Sequence, residues 1–372
     1  MSRKGISLGR ILGIPIELDY SWFLIFALVA WTLAVAYFPA EFSNWSTAEY
    51  WIVAVVTSVL FFVSVLLHEL GHSVVAMHYN IQVESINLFV FGGVSQIEEE
   101  PATAKVEFLM AVVGPLVSFA LAGVFAGLQF AFASFAPLLA LAKYLAFINV
   151  ALGVFNLIPG FPLDGGRVFR SIVWGITHNL HQATSIAGNV GRFIGFLFIL
   201  LGVYLVIGGN FINGLWIGFI GWFLQSAASA QMQQQRLHEM LAGRKVSQAM
   251  SRDYKSVEPD CSVQQLVDEH ILGTGQRSFI VQDDGHVAGL LTLHAVRDVP
   301  RDRWMNTEVM QVMIPLDKVK RIQPDAELWT AIEEMNKDGV NQLPVMTDGQ
   351  IVGMLTREDV VSFLRSLREL GL

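Results

Sequence analysis

The chain has 372 residues, 53% of them hydrophobic and only 15% charged, where an ordinary soluble domain carries about 25% charge. The deficit lies between about residues 20 and 230, which excludes a wholly soluble protein and divides the chain into a membrane part and a soluble C-terminal part. The net charge of −8 argues against general nucleic-acid binding, and the single cysteine, Cys261, excludes an internal disulfide.

In chain order, Leu8 to Leu18, broken by Gly9, Gly13 and Pro15, predicts a short hairpin on the membrane surface. Its turn and strand character, ahead of a long apolar stretch, is unlike a cleavable signal peptide. A first span is expected from about Ser21 to Phe38, then a polar, acidic loop from Pro39 to Glu49, then a second span from about Tyr50 to Met77. From Asn80 to Val94 the pattern changes to strand, with Ile81, Val83, Ile86, Leu88, Val90 and Phe91 apolar and Gly92-Gly93 breaking it. The stretch is too short for a helical crossing. It predicts an apolar hairpin dipping into the bilayer, where its backbone groups must be paired or face a cavity. Glu98-Glu99-Glu100-Pro101 returns to water. A third span is expected from about Phe108 to Phe130 and a fourth from about Leu141 to Ile158. After it comes Pro159-Gly160-Phe161-Pro162-Leu163-Asp164-Gly165-Gly166-Arg167. Val168 to Gln182 reads as a surface helix. A short fifth span, about Phe193 to Ile207, and a sixth, about Phe211 to Ala228, complete the membrane part.

Charge sets the orientation. Arg3, Lys4 and Arg10 precede the first span. Lys105, Arg167, Arg170 and Arg192 lie in or beside later loops of the same side, and Arg236, Arg244 and Lys245 follow the last span. Lys143 is the exception. By the positive-inside rule the protein is expected to be a multi-pass protein of the cell membrane with both termini cytoplasmic.

Residues 231–245 read as a polar helical linker after a membrane domain of residues 1–230. Beyond it the chain repeats itself. Val246-Ser247-Gln248-Ala249-Met250 matches Val309-Met310-Gln311-Val312-Met313, and each copy continues into a helical stretch (Val263 to Ile271, Leu328 to Lys337) and a pair of strands (Phe279 to Thr292, Gln342 to Thr356). Within 246–372 this predicts two copies of one small α/β module, 246–300 and 309–368, packed together.

The chemistry-bearing stretch is His68-Glu69-Leu70-Gly71-His72. On a helix the two histidines lie one turn apart on one face and can share a metal ion, and Glu69 can take a proton from a water activated there. In a soluble helix this pattern is also met by chance. Inside a membrane span ionisable groups are costly and usually functional, and a divalent cation would compensate them. His68 lies eighteen residues into the second span as read, roughly 27 Å at 1.5 Å per residue, which places the metal inside the membrane, nearer the cytoplasmic face. A catalytic zinc takes three protein ligands and keeps a position for water. Glu17, Asp19 and Glu84 are candidates for the third, but Asp164 is better placed, in a Pro- and Gly-rich turn on the same side. Alone, its Asp-Gly-Gly is equally a turn with a helix cap.

These motifs together resemble the site-two proteases, which are intramembrane zinc metalloproteases. The resemblance rests on His68 to His72 in the second span, with Asn156, Pro159, Pro162 and Leu163-Asp164-Gly165-Gly166 after the fourth, and it covers residues 1 to about 230. It implies one zinc ion per chain held by His68, His72 and Asp164, with Glu69 as the base. Phe91-Gly92-Gly93 resembles the family's membrane-entering hairpin, which implies that Gly92 and Gly93 meet substrate as an added strand. Asn156 would contact substrate or help to orient the site; its other reading is a polar residue satisfied within the bundle. Asn149, on the same helical face, reads as a hydrogen bond between helices. The PDZ domain of some family members has no counterpart here.

The C-terminal part instead resembles a pair of cystathionine-β-synthase (CBS) domains. That resemblance implies binding of ATP or another adenine nucleotide between the modules, and homodimerisation through them. Thr356-Arg357-Glu358-Asp359 matches the nucleotide-contacting motif at Thr356 and Asp359, although Thr followed three residues later by an acid is also an ordinary helix cap. The first copy, Thr292-Leu293-His294-Ala295, lacks the acid, and His294 and His286 read as surface residues. The expected fold is a polytopic α-helical membrane protein of six transmembrane helices with a membrane-associated β-hairpin and a C-terminal α/β CBS pair. The expected function is cleavage of a transmembrane protein substrate within the lipid bilayer, modulated by nucleotide. The competing reading is a transporter or channel gated by CBS modules, which would have no need of a base at Glu69.

Overall fold

The computed structural model describes residues 5–90, 92–97, 101–274, 276–283, 286–337 and 339–370. Arg3, Lys4, Phe91, Glu98 to Glu100, Asp284 and Gly285, on which some of these expectations fall, lie outside the described residues. The chain divides between Gln235 and Arg236 into two compact units.

The membrane unit opens with strands β1 (Gly5–Ile11) and β2 (Ile14–Asp19). Leu12 and Gly13 join them with φ of 54° and 84°, the positive pair that a two-residue hairpin turn requires. Helix α1 (Tyr20–Thr32) starts from Asp19, whose carboxylate accepts from the Ser21 amide at 2.8 Å, and continues through a π turn at Leu33–Tyr37 into α2 (Phe38–Glu41). The long helix α3 (Thr47–His78) is capped reciprocally by Ser46 and Glu49. Strands β3 (Val83–Phe89) and β4 (Gly92–Ile97) follow, then α4 (Ala104–Ala131), α5 (Ala136–Asn156), α6 (Asp164–Thr177), α7 (Leu180–Ile207) and α8 (Phe211–Leu241). Among the described residues six helices are long and apolar enough to cross a membrane, formed by 20–41, 47–78, 104–131, 136–156, 180–207 and 211–241.

Four findings depart from the sequence reading. The two expected hairpins are one sheet in the order β1-β2-β3-β4, because β2 and β3 pair in parallel, Ile16 opposite Ile86 and Leu18 opposite Leu88. Its apolar face lies on the part of α3 that carries the metal motif: Ile14, Ile16 and Ile86 pack on Leu70, and Leu18 and Leu88 on Val65. The surface helix ends at Thr177, and the fifth span begins at Leu180 and runs 28 residues. Its polar first half hides the helix from a hydropathy reading, but Ala183, Ala187, Gly188 and Gly191 form a buried face. Arg170, counted above as a loop charge, is only 5% exposed and paired. Lastly, α8 continues without a break to Leu241, through residues read as a separate linker, and Leu237 and Leu241 join the core of the second module.

The C-terminal unit contains α9 (Val246–Ala249), β5 (Ser256–Val257), a helix over 263–274 formed by α10 (Val263–Gln265), a π turn and α11 (Leu272–Thr274), strands β6 (Ser278–Asp283) and β7 (His286–Thr292), α12 (Leu293–Arg297), α13 (Val309–Val312) and β8 (Ile314–Pro315). Then come α14 (Leu328–Lys337), β9 (Gln342–Thr347), β10 (Gln350–Thr356) and α15 (Arg357–Glu369). The two repeats exchange their leading segments. Val246 of the first copy is buried among Leu328, Leu343 and Leu355 of the second, and Val309 of the second among Val257, Phe279 and Leu291 of the first. Gly289 and Gly353 mark the crossings. A Cβ on Gly289 would lie 2.4 Å from the Ile314 carbonyl oxygen, and one on Gly353 would lie 2.8 Å from that of Ser251.

Candidate metal centre

His68 lies twenty-one residues after the first residue of α3, about 32 Å along the helix axis and about 15 Å from its other end. Both histidines face inward, 3% and 8% exposed. Each is oriented by α4. The His72 ring donates from Nδ1 to the Met110 carbonyl at 2.6 Å. A carbonyl can only accept, so this fixes the proton on Nδ1 and leaves the Nε2 lone pair free. The His68 Nδ1 lies 2.9 Å from the Ser118 hydroxyl, which can hold that ring in the same tautomer. Outer partners of this kind fix ring orientation in metal sites.

The third group is Asp164, the first residue of α6. Its Oδ2 lies 3.0 Å from His68 Nε2 and 3.2 Å from His72 Nε2, and the two Nε2 atoms are 3.2 Å apart. Zinc bonds of about 2.0–2.1 Å in tetrahedral geometry have edges of about 3.3 Å, so these three atoms form one face of such a tetrahedron. The donor set, two neutral imidazoles and a carboxylate, also suits zinc. Among the described residues no other group of His, Cys, Asp and Glu converges in this way.

Glycine makes the convergence possible. A Cβ on Gly114 would fall 2.1 Å from His72 Nε2 and 2.7 Å from His68 Nε2, so α4 can pass the metal residues only without a side chain there. On α6 a Cβ at Gly165 would meet the Leu157 carbonyl at 2.4 Å, and one at Gly166 would meet Gly160 at 2.4 Å. The first turn of α6 therefore lies directly on the loop after α5, and this carries Asp164 into the bundle.

Glu69 stands apart from the three. Its Oε2 accepts from the Ser95 hydroxyl on β4 at 2.9 Å. Gly93 on the same strand lies against it, since a Cβ there would be 2.5 Å from Glu69 Cγ. Gly92 adopts a φ of 127°, with open space where a side chain would stand. Asn156, the last residue of α5, is half-buried, and its side chain makes no hydrogen bond among the described residues; it is not joined to His68, His72, Asp164 or Glu69. Asn149 is fully buried and donates from Nδ2 to Ser64 on α3 at 3.2 Å and to Leu145 O at 2.8 Å. A pair that sequence reading missed is Glu107 on α4 with Arg170 on α6, both buried.

In the C-terminal unit Thr356 and Asp359 line a cleft of about 940 Å³ shared by both modules. They are engaged with each other: Asp359 Oδ2 accepts from the Thr356 amide at 2.8 Å and from its hydroxyl at 2.7 Å, and the Thr356 hydroxyl accepts from the Asp359 amide at 3.1 Å. Arg277, Arg297, His294 and Arg357 line the same cleft. His294 and Arg297 share α12 and lie 3.0 Å apart, whereas Arg277 precedes β6 and Arg357 opens α15, so the fold gathers the three arginines.

Residues 56–141 and 131–202 match the family described as peptidase family M50, and residues 246–302 and 309–366 each match the CBS domain. The chain is 33% identical over 367 residues, 97% of its length and 93% of the relative's, to "Putative zinc metalloprotease Rip3" of Mycobacterium tuberculosis. It is 32% identical over 369 residues, 98% of its length and 96% of the relative's, to "Putative zinc metalloprotease sll0528" of Synechocystis. A solved site-2 protease from Methanocaldococcus jannaschii is 31% identical, with a TM-score of 0.43 over 61% of this chain and 95% of that one. Near-complete coverage by zinc metalloproteases, and the fit of His68, His72 and Asp164 to that metal, agree. The chain belongs to peptidase family M50, the site-two protease family, as a multi-pass membrane zinc metalloprotease with a C-terminal CBS pair.

Proposed function

We propose that the protein cleaves membrane-spanning segments of other proteins, with His68, His72 and Asp164 holding one zinc ion and Glu69 moving the proton. Bound there, zinc polarises the scissile carbonyl and makes water acidic enough to react near neutral pH. Glu69 takes a proton from the attacking water as its oxygen bonds to the carbonyl carbon, and delivers it to the amide nitrogen as the C–N bond breaks. Ser118 and the Met110 carbonyl keep both imidazoles in place through this exchange. A peptide must be extended to be attacked, so a helical substrate has to unwind locally. Strand β4 is the edge of its sheet and can hold the extended form by pairing, with Gly92 and Gly93 giving the substrate backbone close approach. The Asn156 side chain, without a hydrogen-bond partner among the described residues, can bond the substrate backbone.

The observation that carries this reading is the convergence of three ligand atoms beside a carboxylate that faces an edge strand. Purified Glu69→Gln protein tests it. Zinc content equal to the parent with cleavage abolished is the expected result. Retained cleavage would sink the assignment of the base. The same variant, expressed in the native cell, should hold uncleaved substrates for identification.

We also infer that the cleft between the modules takes ATP or another adenine nucleotide, with Asp359 toward the ribose, and that occupancy changes the rate of cleavage. Nucleotide titration of the full chain tests this: no binding, or binding with no change in rate, argues against it. The distribution of Lys and Arg supports cytoplasmic termini in the cell membrane, and the CBS pair is the expected surface for a homodimer.

A further inference from the structure

Ser95 lies on β4 two residues beyond Gly93, so both face the same side of the strand, and that side meets α3 at Glu69. The Ser95 hydroxyl is 2.9 Å from Glu69 Oε2, 3.3 Å from the Glu69 carbonyl oxygen and 3.2 Å from the Ser73 hydroxyl. Ser73 is fully buried and donates its own proton to the Glu69 carbonyl at 2.9 Å. A serine hydroxyl has one proton to give. The carboxylate oxygen is the nearest of its acceptors, so the proton goes to Glu69 Oε2.

We propose that Ser95 is a positioning residue for Glu69. A glutamate side chain has three rotatable bonds, and adjacency to His68 fixes none of them. Gly93 bounds the carboxylate sterically on one side, and Ser95 selects one orientation by hydrogen bond. Ser95 also stands opposite Ile86 in the β3–β4 register, so the sheet backbone holds its hydroxyl in place. The strand proposed to receive substrate thus also sets the group that moves the proton, and peptide paired along β4 is registered against Glu69 through a single element. The proposal rests on the reading of Glu69 as the base.

The test uses the zinc-loaded full chain in detergent, labelled casein as the cleavage probe, and the variants Ser95→Ala, Ser95→Thr and Glu69→Gln. Thr keeps the hydroxyl and suits a strand. The expected result for Ser95→Ala is a kcat lowered about tenfold or more, with KM and zinc content unchanged, and recovery of kcat in Ser95→Thr. A Ser95→Ala kcat equal to the parent, an effect confined to KM, or a Ser95→Thr variant no better than Ser95→Ala overturns the proposal while Glu69→Gln is inactive. An active Glu69→Gln overturns the reading of the base instead, and the positioning role with it.

Discussion

Arg170 donates to the carboxylate of Glu107 between the two helices that complete the metal site. Helix α6 begins with Asp164, six residues before Arg170. On α4, Glu107, Met110, Gly114 and Ser118 share one helical face, and the last three meet the histidine rings. The ion pair therefore ties the helix supplying the carboxylate to the helix that orients both imidazoles. Removing one partner of a buried pair costs about 3–5 kcal/mol, whereas replacing both with apolar residues of similar size is often neutral. Arg170→Met should accordingly lower thermal stability and release zinc faster to a chelator. Adding Glu107→Met should restore the stability. A double variant no more stable than Arg170→Met would show that the pair acts through other contacts.

Gly114 offers a sharper test of the metal geometry. In Gly114→Ala the methyl carbon would lie closer to both Nε2 atoms than any non-bonded contact allows, and it would displace the two atoms that would hold the metal. The expected outcome is a folded protein with zinc content near zero. Gly123 is on the same helix with nothing within 4 Å of its would-be Cβ, so Gly123→Ala should bind zinc like the parent. Metal analysis of the two purified variants separates a site effect from a general cost to α4.

The parts of this architecture that sequence reveals are those with local periodicity. His68, Glu69 and His72 announce themselves because one helical turn relates them, and the six spans because each contains a continuous apolar run, which in α7 is only its second half. The convergence of Asp164 on the two histidines was legible through its Gly-rich turn and the expectation of a third ligand. The parallel pairing of β2 with β3 joins residues about seventy apart and leaves no local mark. Arg170 reads as a surface charge because nothing near it in the chain announces Glu107. The exchange of Val246 and Val309 between the modules is hidden for the opposite reason: a repeat shows that two segments are alike, not which core each one enters.

Strand β4 makes a prediction of its own at Gly93. Alanine there would place a methyl group 2.5 Å from Glu69 Cγ and 3.2 Å from Oε1, so the carboxylate must move or the strand must lift. The three atoms nearest that methyl group all belong to Glu69 and none to a metal residue. Gly93→Ala should therefore keep its zinc and lose most of its turnover. Zinc analysis beside a cleavage assay decides it: loss of zinc would place the hairpin in the ligand geometry instead.

In the C-terminal cleft the two kinds of residue should separate cleanly. Asp359 caps α15 through the Thr356 amide, so Asp359→Ala gives up a helix cap worth about 1 kcal/mol, whether or not it touches ligand. Arg277 and Arg297 are exposed, and neither is part of a packed core. Their charges suit phosphate and are screened by salt. Arg297→Ala should leave thermal stability unchanged and weaken ATP binding about tenfold at low ionic strength, with a smaller difference at high salt. Asp359→Ala should lower the unfolding temperature even without nucleotide. Calorimetric titration of the full chain with ATP, paired with thermal melts, reads both effects. An Arg297→Ala variant that binds ATP like the parent at low salt would remove the phosphate from that end of the cleft.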